Sequence, residues 1–152
     1  MNTLRSVRTL SLFAALAAAP ALAEESAFIA WTAVGDGIPQ PLAGLRGDAQ
    51  RGRALAIRPD KGNCLTCHDL PIPEEGFHGT IGPSLLGVGA RLSEAQLRLR
   101  VADEQRLNPR SIMPGFHRDP AGLNQVAWDY AGRTILSAQD VEDVVAYLET
   151  LR

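Results

Sequence analysis

Cysteine is scarce in this sequence of 152 residues, in which Cys64 and Cys67 are the only two. A structural zinc site usually combines two pairs of ligands at similar spacing, and the sequence offers no second cysteine pair. The low cysteine content therefore disfavours a zinc site. It also leaves no disulfide to stabilise the fold if both cysteines serve another purpose.

Long apolar runs are also rare. The one such run covers residues 10–19 and follows the positive charges of Arg5 and Arg8. It is about half as long as a membrane span, and Ala21-Leu22-Ala23 then gives the small-x-small pattern of a cleavage site. Residues 1–23 are therefore predicted to be a signal peptide, cleaved after Ala23, that exports a mature chain without a membrane span to the periplasm. A retained anchor is the alternative interpretation.

The mature chain also lacks an excess of positive charge. Removal of the predicted signal peptide leaves 13 basic against 17 acidic residues, a net charge of −4. Nucleic-acid-binding domains usually carry a basic patch, so no nucleic acid is expected as a partner. The remaining 129 residues have the size of one domain.

One motif stands out against these absences. In Asn63-Cys64-Leu65-Thr66-Cys67-His68 a Cys-x-x-Cys pair is followed directly by histidine, which predicts covalent attachment of haem c. Each thiol can add across one vinyl group of the porphyrin, and the two-residue spacer lets one turn of backbone reach both vinyls. The next residue, His68, can then offer a ring nitrogen to the iron.

A redox-active dithiol is the alternative interpretation of this motif. Such a Cys-x-x-Cys pair is expected in a βαβ context of the thioredoxin type. The sequence on both sides of the motif is instead typical of helices, so haem attachment is the preferred interpretation.

The second axial ligand of the iron has to come from elsewhere in the chain. Met113 is the only methionine of the mature chain and lies in Ser111-Ile112-Met113-Pro114-Gly115. A thioether is a soft ligand that cytochromes c use opposite histidine, although a methionine can also fill a gap in a core. His78 and His117 are the competitors, which we expect at the surface or in local hydrogen bonds. We predict that His68 and Met113 bind the iron.

Three helices are predicted from start signals and periodicity. The first runs from Asp48, a capping residue, to about Arg58. The second and third begin with capping boxes at residues 93–96 and 137–140, and the second ends near Asp103. In the third helix, apolar residues recur at helical spacing and are predicted to face the core: Val141, Val144, Val145, Leu148 and Leu151.

The segments between these helices are predicted to be irregular. Residues 24–47 are rich in glycine and proline, and their apolar side chains should pack on the domain or on a partner. Residues 70–89 form a loop in which Pro83 could stiffen a segment whose carbonyl accepts the ring N–H of the haem-ligating histidine. An ordinary turn is the alternative there. For residues 125–135 the alternation of apolar residues permits a short β-hairpin.

Together, the first helix, Cys-x-x-Cys-His, Gly-Pro-x-Leu, Met-Pro and the final amphipathic helix resemble a class I cytochrome c. More closely, the sequence is similar to the SoxX family of monohaem subunits, in the stretches 31–36, 61–68, 82–89, 107–116 and 141–148. The resemblance implies an all-α cytochrome c domain, residues 48–152, wrapped round one covalent haem. Residues 24–47 would be an irregular N-terminal extension.

The resemblance also implies roles and partners. Cys64 and Cys67 would hold the haem covalently. His68 and Met113 would be the axial ligands, and the Pro83 carbonyl would orient the His68 ring. Members of this family form a heterodimer with a larger haem subunit, SoxA, in the periplasm, and the SoxAX complex oxidatively couples thiosulfate to a cysteine of the carrier protein SoxYZ.

The residues indicate which part of that reaction this chain would perform. With both cysteines bound to haem no free thiol remains, and no paired base and nucleophile is recognisable. We therefore expect no catalytic residue and no autonomous active site. The chain would relay electrons to a downstream acceptor within a complex of the L-cysteine S-thiosulfotransferase type.

Two other functions are compatible with the sequence. A free-standing periplasmic cytochrome c would share every haem prediction but would lack a permanent interface. A haem-based ligand sensor or haem enzyme would require that Met113 does not bind the iron, which would leave an open coordination site.

Overall fold

The computed structural model describes residues 27–124 and 126–152. The predicted signal peptide, residues 1–23, lies outside the described residues. Apart from one isolated antiparallel bridge between Val34 and Gly37, the regular structure of the described part is helical, which confirms the all-α prediction. It comprises five short 3₁₀ helices and the α-helices α1 (Ala49–Ile57), α2 (Val88–Arg91), α3 (Glu94–Asp103) and α4 (Ala138–Thr150).

The three predicted helices begin at their predicted caps. The Asp48 carboxylate accepts a hydrogen bond from the backbone N–H of Arg51 at 2.9 Å, and complete capping boxes at Ser93 and Ser137 start α3 and α4. These signals connect residues three apart, so they act without help from the rest of the fold. None of the helices in the described part combines the length and the apolarity that a membrane span requires.

Helix α4 forms the centre of the core, and α1 crosses it at Gly52. A Cβ atom at Gly52 would lie 1.9 Å from the backbone oxygen of Asp143 and 2.9 Å from the Cβ of Tyr147. Only a residue without a side chain permits this approach. The predicted apolar face is confirmed: Val141, Val144, Val145 and Leu148 of α4 are buried, as is Leu151 directly after the helix.

The irregular segment 27–47 folds back onto the helices. Ile38 and Leu42 are each 2% exposed. The guanidinium of Arg98 donates to the Ile38 carbonyl at 2.8 Å and to the Glu142 carboxylate, which in turn accepts the Leu42 N–H at 2.8 Å. Burying an ion pair is costly unless its remaining hydrogen-bonding groups are satisfied, and here the backbone of the segment satisfies them.

Two predictions about the connecting segments were wrong. The loop predicted for residues 70–89 ends early, because α2 begins at Val88 after Gly87, whose φ is +66°. The β-hairpin considered for residues 125–135 is absent from the described residues 126–135, in which Trp128–Tyr130 is a 3₁₀ helix. Alternation of apolar residues predicts a strand only when one face is buried, whereas Trp128 is 86% exposed.

We expect Gly52→Ala to destabilise the protein by about 1–3 kcal/mol, the usual cost of overpacking, because the new Cβ meets the backbone of α4. The higher helix propensity of alanine offsets this only partly. Gly122→Ala is the control, since Gly122 is in a 3₁₀ helix with open space around the position of its Cβ. Urea unfolding of the haem-loaded proteins measures both, and a wild-type midpoint for Gly52→Ala would contradict the packing described here.

Candidate functional site

The Cys-x-x-Cys-His motif forms one tight turn of backbone. Asn63 precedes it in the left-handed region at φ 46°, which asparagine tolerates better than most residues. The Cys64 carbonyl then accepts hydrogen bonds from the N–H groups of Cys67 at 3.1 Å and His68 at 2.9 Å. The two sulfurs and the imidazole therefore originate from a single turn.

A second loop lies against this turn and fixes it. The backbone N–H groups of Gly79, Gly82 and Leu85 donate at 2.8, 2.7 and 2.9 Å to the carbonyl oxygens of residues 65, 67 and 69. A Cβ atom at Gly79 would lie 2.0 Å from the backbone oxygen of Thr66, so the approach requires glycine there. The close contact of the two loops brings Pro83 next to His68.

The His68 ring is oriented from two sides. Its Nδ1 lies 2.7 Å from the Pro83 carbonyl oxygen, and because a carbonyl only accepts, Nδ1 carries the proton. Nε2 then has a free lone pair, as metal-ligating histidines require. Gly82 lies so close to the ring that a Cβ there would be 2.3 Å from Cε1. This contact was missed in the sequence, where Gly82 is one of several loop glycines.

The environment of Cys64 does not suit a redox dithiol. Burial raises the pKa of the Cys64 thiol to about 11, whereas reactive cysteines have a lowered pKa and act as thiolates. Among the described residues, no group of three or more histidine, cysteine or acidic side chains could hold a metal ion.

Met113 lies in a separate loop that is attached to the end of α3. Its backbone N–H donates to the Ser111 hydroxyl at 3.2 Å, and the Ser111 carbonyl accepts a hydrogen bond from Gln105 at 3.0 Å. Two residues further on, a Cβ at Gly115 would be 3.0 Å from Oδ1 of Asp103. The Met113 side chain is half-buried against the core.

Large apolar side chains are exposed beside both candidate ligands. Ile81, directly before Gly82, is 66% exposed, and Ile112, directly before Met113, is 77% exposed. Phe77, in the loop next to the motif, is 75% exposed. A porphyrin is an apolar plate that could cover such surface, so the donor set and its surroundings fit a haem.

The two competing histidines are engaged elsewhere. His78 accepts the nearby Leu70 N–H at 3.2 Å, a local hydrogen bond as predicted. His117 is fully buried. Its Nδ1 donates to the Leu136 carbonyl at 2.9 Å and its Nε2 lies 3.1 Å from the Ile29 nitrogen. The prediction of a surface or local position was therefore wrong for His117, because its partners are distant in sequence.

Three comparisons with known proteins agree with this geometry. The family model described as Cytochrome c matches residues 49–152. A protein named Cytochrome c-553-like from Synechocystis sp. (strain ATCC 27184 / PCC 6803 / Kazusa) is 32% identical over 114 residues, which are 75% of this chain and 78% of that protein. A chain in the crystal structure of SoxXA from P. pantotrophus is 34% identical, with a TM-score of 0.74, and the match covers 84% of this chain and 98% of that chain.

The family model includes the turn at Cys64, the loop at Pro83, the Met113 loop and α4. The relatives exceed 30% identity over three quarters or more of this chain. The chain belongs to the cytochrome c family, whose members carry covalently attached haem c.

Proposed function

We propose that this chain is the monohaem electron-transfer subunit of a SoxXA-type cytochrome. The observation that carries the proposal is its similarity to a SoxXA chain over 98% of that chain, at a TM-score of 0.74. Because the match covers 84% of the present chain, it extends beyond the cytochrome c model at residues 49–152. A likeness confined to the haem-binding part would not reach that far.

Five residues would hold and orient a single haem in this proposal. Cys64 and Cys67 provide the sulfurs of two thioether bonds. His68 would bind the iron through Nε2, while its Nδ1–H donates to the Pro83 carbonyl at 2.7 Å. Met113 would be the second protein ligand of the iron, supplied by the loop at the end of α3. When bound, haem c supplies one-electron redox chemistry.

The same residues assign the sulfur chemistry to a partner. Attachment of haem would use both cysteines of the chain, and ligation by both His68 and Met113 would leave no position at the iron for a substrate. We infer that the chain relays electrons from a SoxA-like haem subunit, in a periplasmic heterodimer that couples thiosulfate to the carrier SoxYZ. A downstream acceptor then removes the electrons.

A free-standing cytochrome c is the second candidate, and the packing of residues 27–47 is the observation that favours it. This segment is fixed to its own domain through Arg98 and Glu142, so it needs no partner to order it. Exposed apolar side chains favour a permanent interface instead, since Trp128 is 86% and Val34 is 67% exposed.

Purification of the tagged full-length chain from its native host tests the proposal. We expect a larger haem-containing subunit to co-purify with it, and thiosulfate-dependent activity to require both subunits together with SoxYZ. The control is the same tagged chain purified from a host in which the gene of the partner subunit has been deleted. A monomer recovered from an extract that contains a SoxA-type protein would contradict the assignment.

The axial role of Met113 is tested by Met113→Ala. We expect haem to remain attached, ferrous protein to bind carbon monoxide at neutral pH, and the reduction potential to fall by on the order of 100 mV, within the ~0.8 V range that axial ligands span. Ile112→Ala, at the exposed neighbouring position, should leave carbon monoxide binding absent as in the wild type. If Met113→Ala keeps the wild-type spectrum, the sixth ligand is another residue.

The support of the His68 ring is tested by Gly82→Ala. The added methyl group would lie 2.3 Å from Cε1, so the ring must move and its hydrogen bond to Pro83 must break. We expect a perturbed haem spectrum and a loss of stability of about 1–3 kcal/mol. Gly76→Ala is matched to it, because Gly76 lies in the same loop with open space around its Cβ position. Identical spectra and melting temperatures for the two variants would refute the contact.

A further inference from the structure

One guanidinium nitrogen is buried without a partner in the described part of the chain. Nη1 of Arg100 is inaccessible to solvent and forms no hydrogen bond with a described residue. A buried charged donor without an acceptor is strongly unfavourable. Other arginines that pack on the helices are paired with carboxylates: Arg51 with Asp143, Arg98 with Glu142, and Arg118 with Asp103.

The position of Arg100 on α3 indicates where its partner must lie. Arg98, two residues earlier, points towards α4, where it binds Glu142 at 2.8 Å. Residues two apart on a helix point in nearly opposite directions, so Arg100 points away from α4. Asp103, three residues later, shares the side of Arg100 and contacts Gly115 in the Met113 loop. Arg100 therefore lies on the side of α3 that carries the Met113 loop.

We propose that Arg100 donates hydrogen bonds to a propionate carboxylate of the haem. This inference rests on the proposed haem site. The planar guanidinium matches a carboxylate in bidentate geometry and stays charged when buried. Haem brings two carboxylates into a chain whose described carboxylates leave Nη1 of Arg100 unpaired. The pair would also affect the iron, because an uncompensated carboxylate nearby favours the ferric state.

Arg100→Gln removes the charge and keeps hydrogen-bonding capacity. We expect this variant to shift the ferrous-to-ferric equilibrium about tenfold towards ferric haem. For a one-electron couple this lowers the reduction potential by about 59 mV. Its potential should also vary with pH between about pH 5 and 8, because burial raises the pKa of an unpaired carboxyl. Arg100→Lys should recover part of the shift and flatten the pH profile, which a merely structural role would not do.

Arg106→Gln is the matched control, because it removes the same charge from an exposed residue of the neighbouring 3₁₀ helix. Its potential should stay near that of the wild type, since solvent screens the side chain. Equal potentials and flat pH profiles for Arg100→Gln and Arg106→Gln would overturn the inference.

A measurement on the wild-type protein keeps the inference testable if Arg100→Gln does not fold. In the ferrous holoprotein, the guanidinium protons of Arg100 should exchange slowly with water and show nuclear Overhauser effects to the propionate methylene protons. Fast exchange without such effects would refute the contact. A colourless protein would contradict the proposed haem site itself, whereas a coloured protein with an exposed Arg100 would contradict only this inference.

Discussion

The close contact between α1 and α4 is the constraint on which the rest of the site depends. Gly52 lets the two backbones meet, since a Cβ atom there would be 1.9 Å from the Asp143 oxygen. The chain leaves α1 and reaches Cys64 through a turn that stays against the helix: a Cβ at Gly62 would lie 2.9 Å from the Leu55 oxygen. Lys61 in that turn binds Asp140 at 3.0 Å. The turn that carries Cys64, Cys67 and His68 is thus positioned by the helix pair.

A buried carboxylate reinforces the same contact. Asp143 is buried and accepts the Asp48 N–H and the Arg51 Nε–H, each at 2.8 Å. Burial alone would raise the pKa of Asp143, but the hydrogen bonds from Arg51, the Asp48 backbone and Gln139 outweigh it and hold that pKa below its usual value. Asp143 is therefore ionised at neutral pH, and it joins the first turn of α1 to α4.

The features that could be predicted from the sequence are those that depend on residues close together in the chain. The caps at Asp48, Ser93 and Ser137 and the Cys-x-x-Cys-His motif connect residues within one turn, so they were recognisable without tertiary information. The contact of Gly82 with the His68 ring and the burial of His117 depend on segments that meet only in the folded chain. The hairpin interpretation failed because a sequence pattern does not show whether Trp128 is covered.

The N-terminal segment is part of the support of the Met113 loop. The indole N–H of Trp31 donates to the His117 carbonyl at 3.1 Å, and Ile29 contacts the His117 ring. The His117 backbone N–H in turn donates to the Ala102 carbonyl of α3 at 3.0 Å. His68 thus belongs to a turn held by α1 on one side and by the loop of residues 79–85 on the other, whereas Met113 belongs to a loop held by α3 and by residues 29–31. These added hydrogen bonds restrain the backbone on both sides of Met113, the residue proposed as the second ligand. Residues 29–31 precede the part of the chain that the family model matches, residues 49–152, and they nevertheless contribute to the geometry of the candidate site.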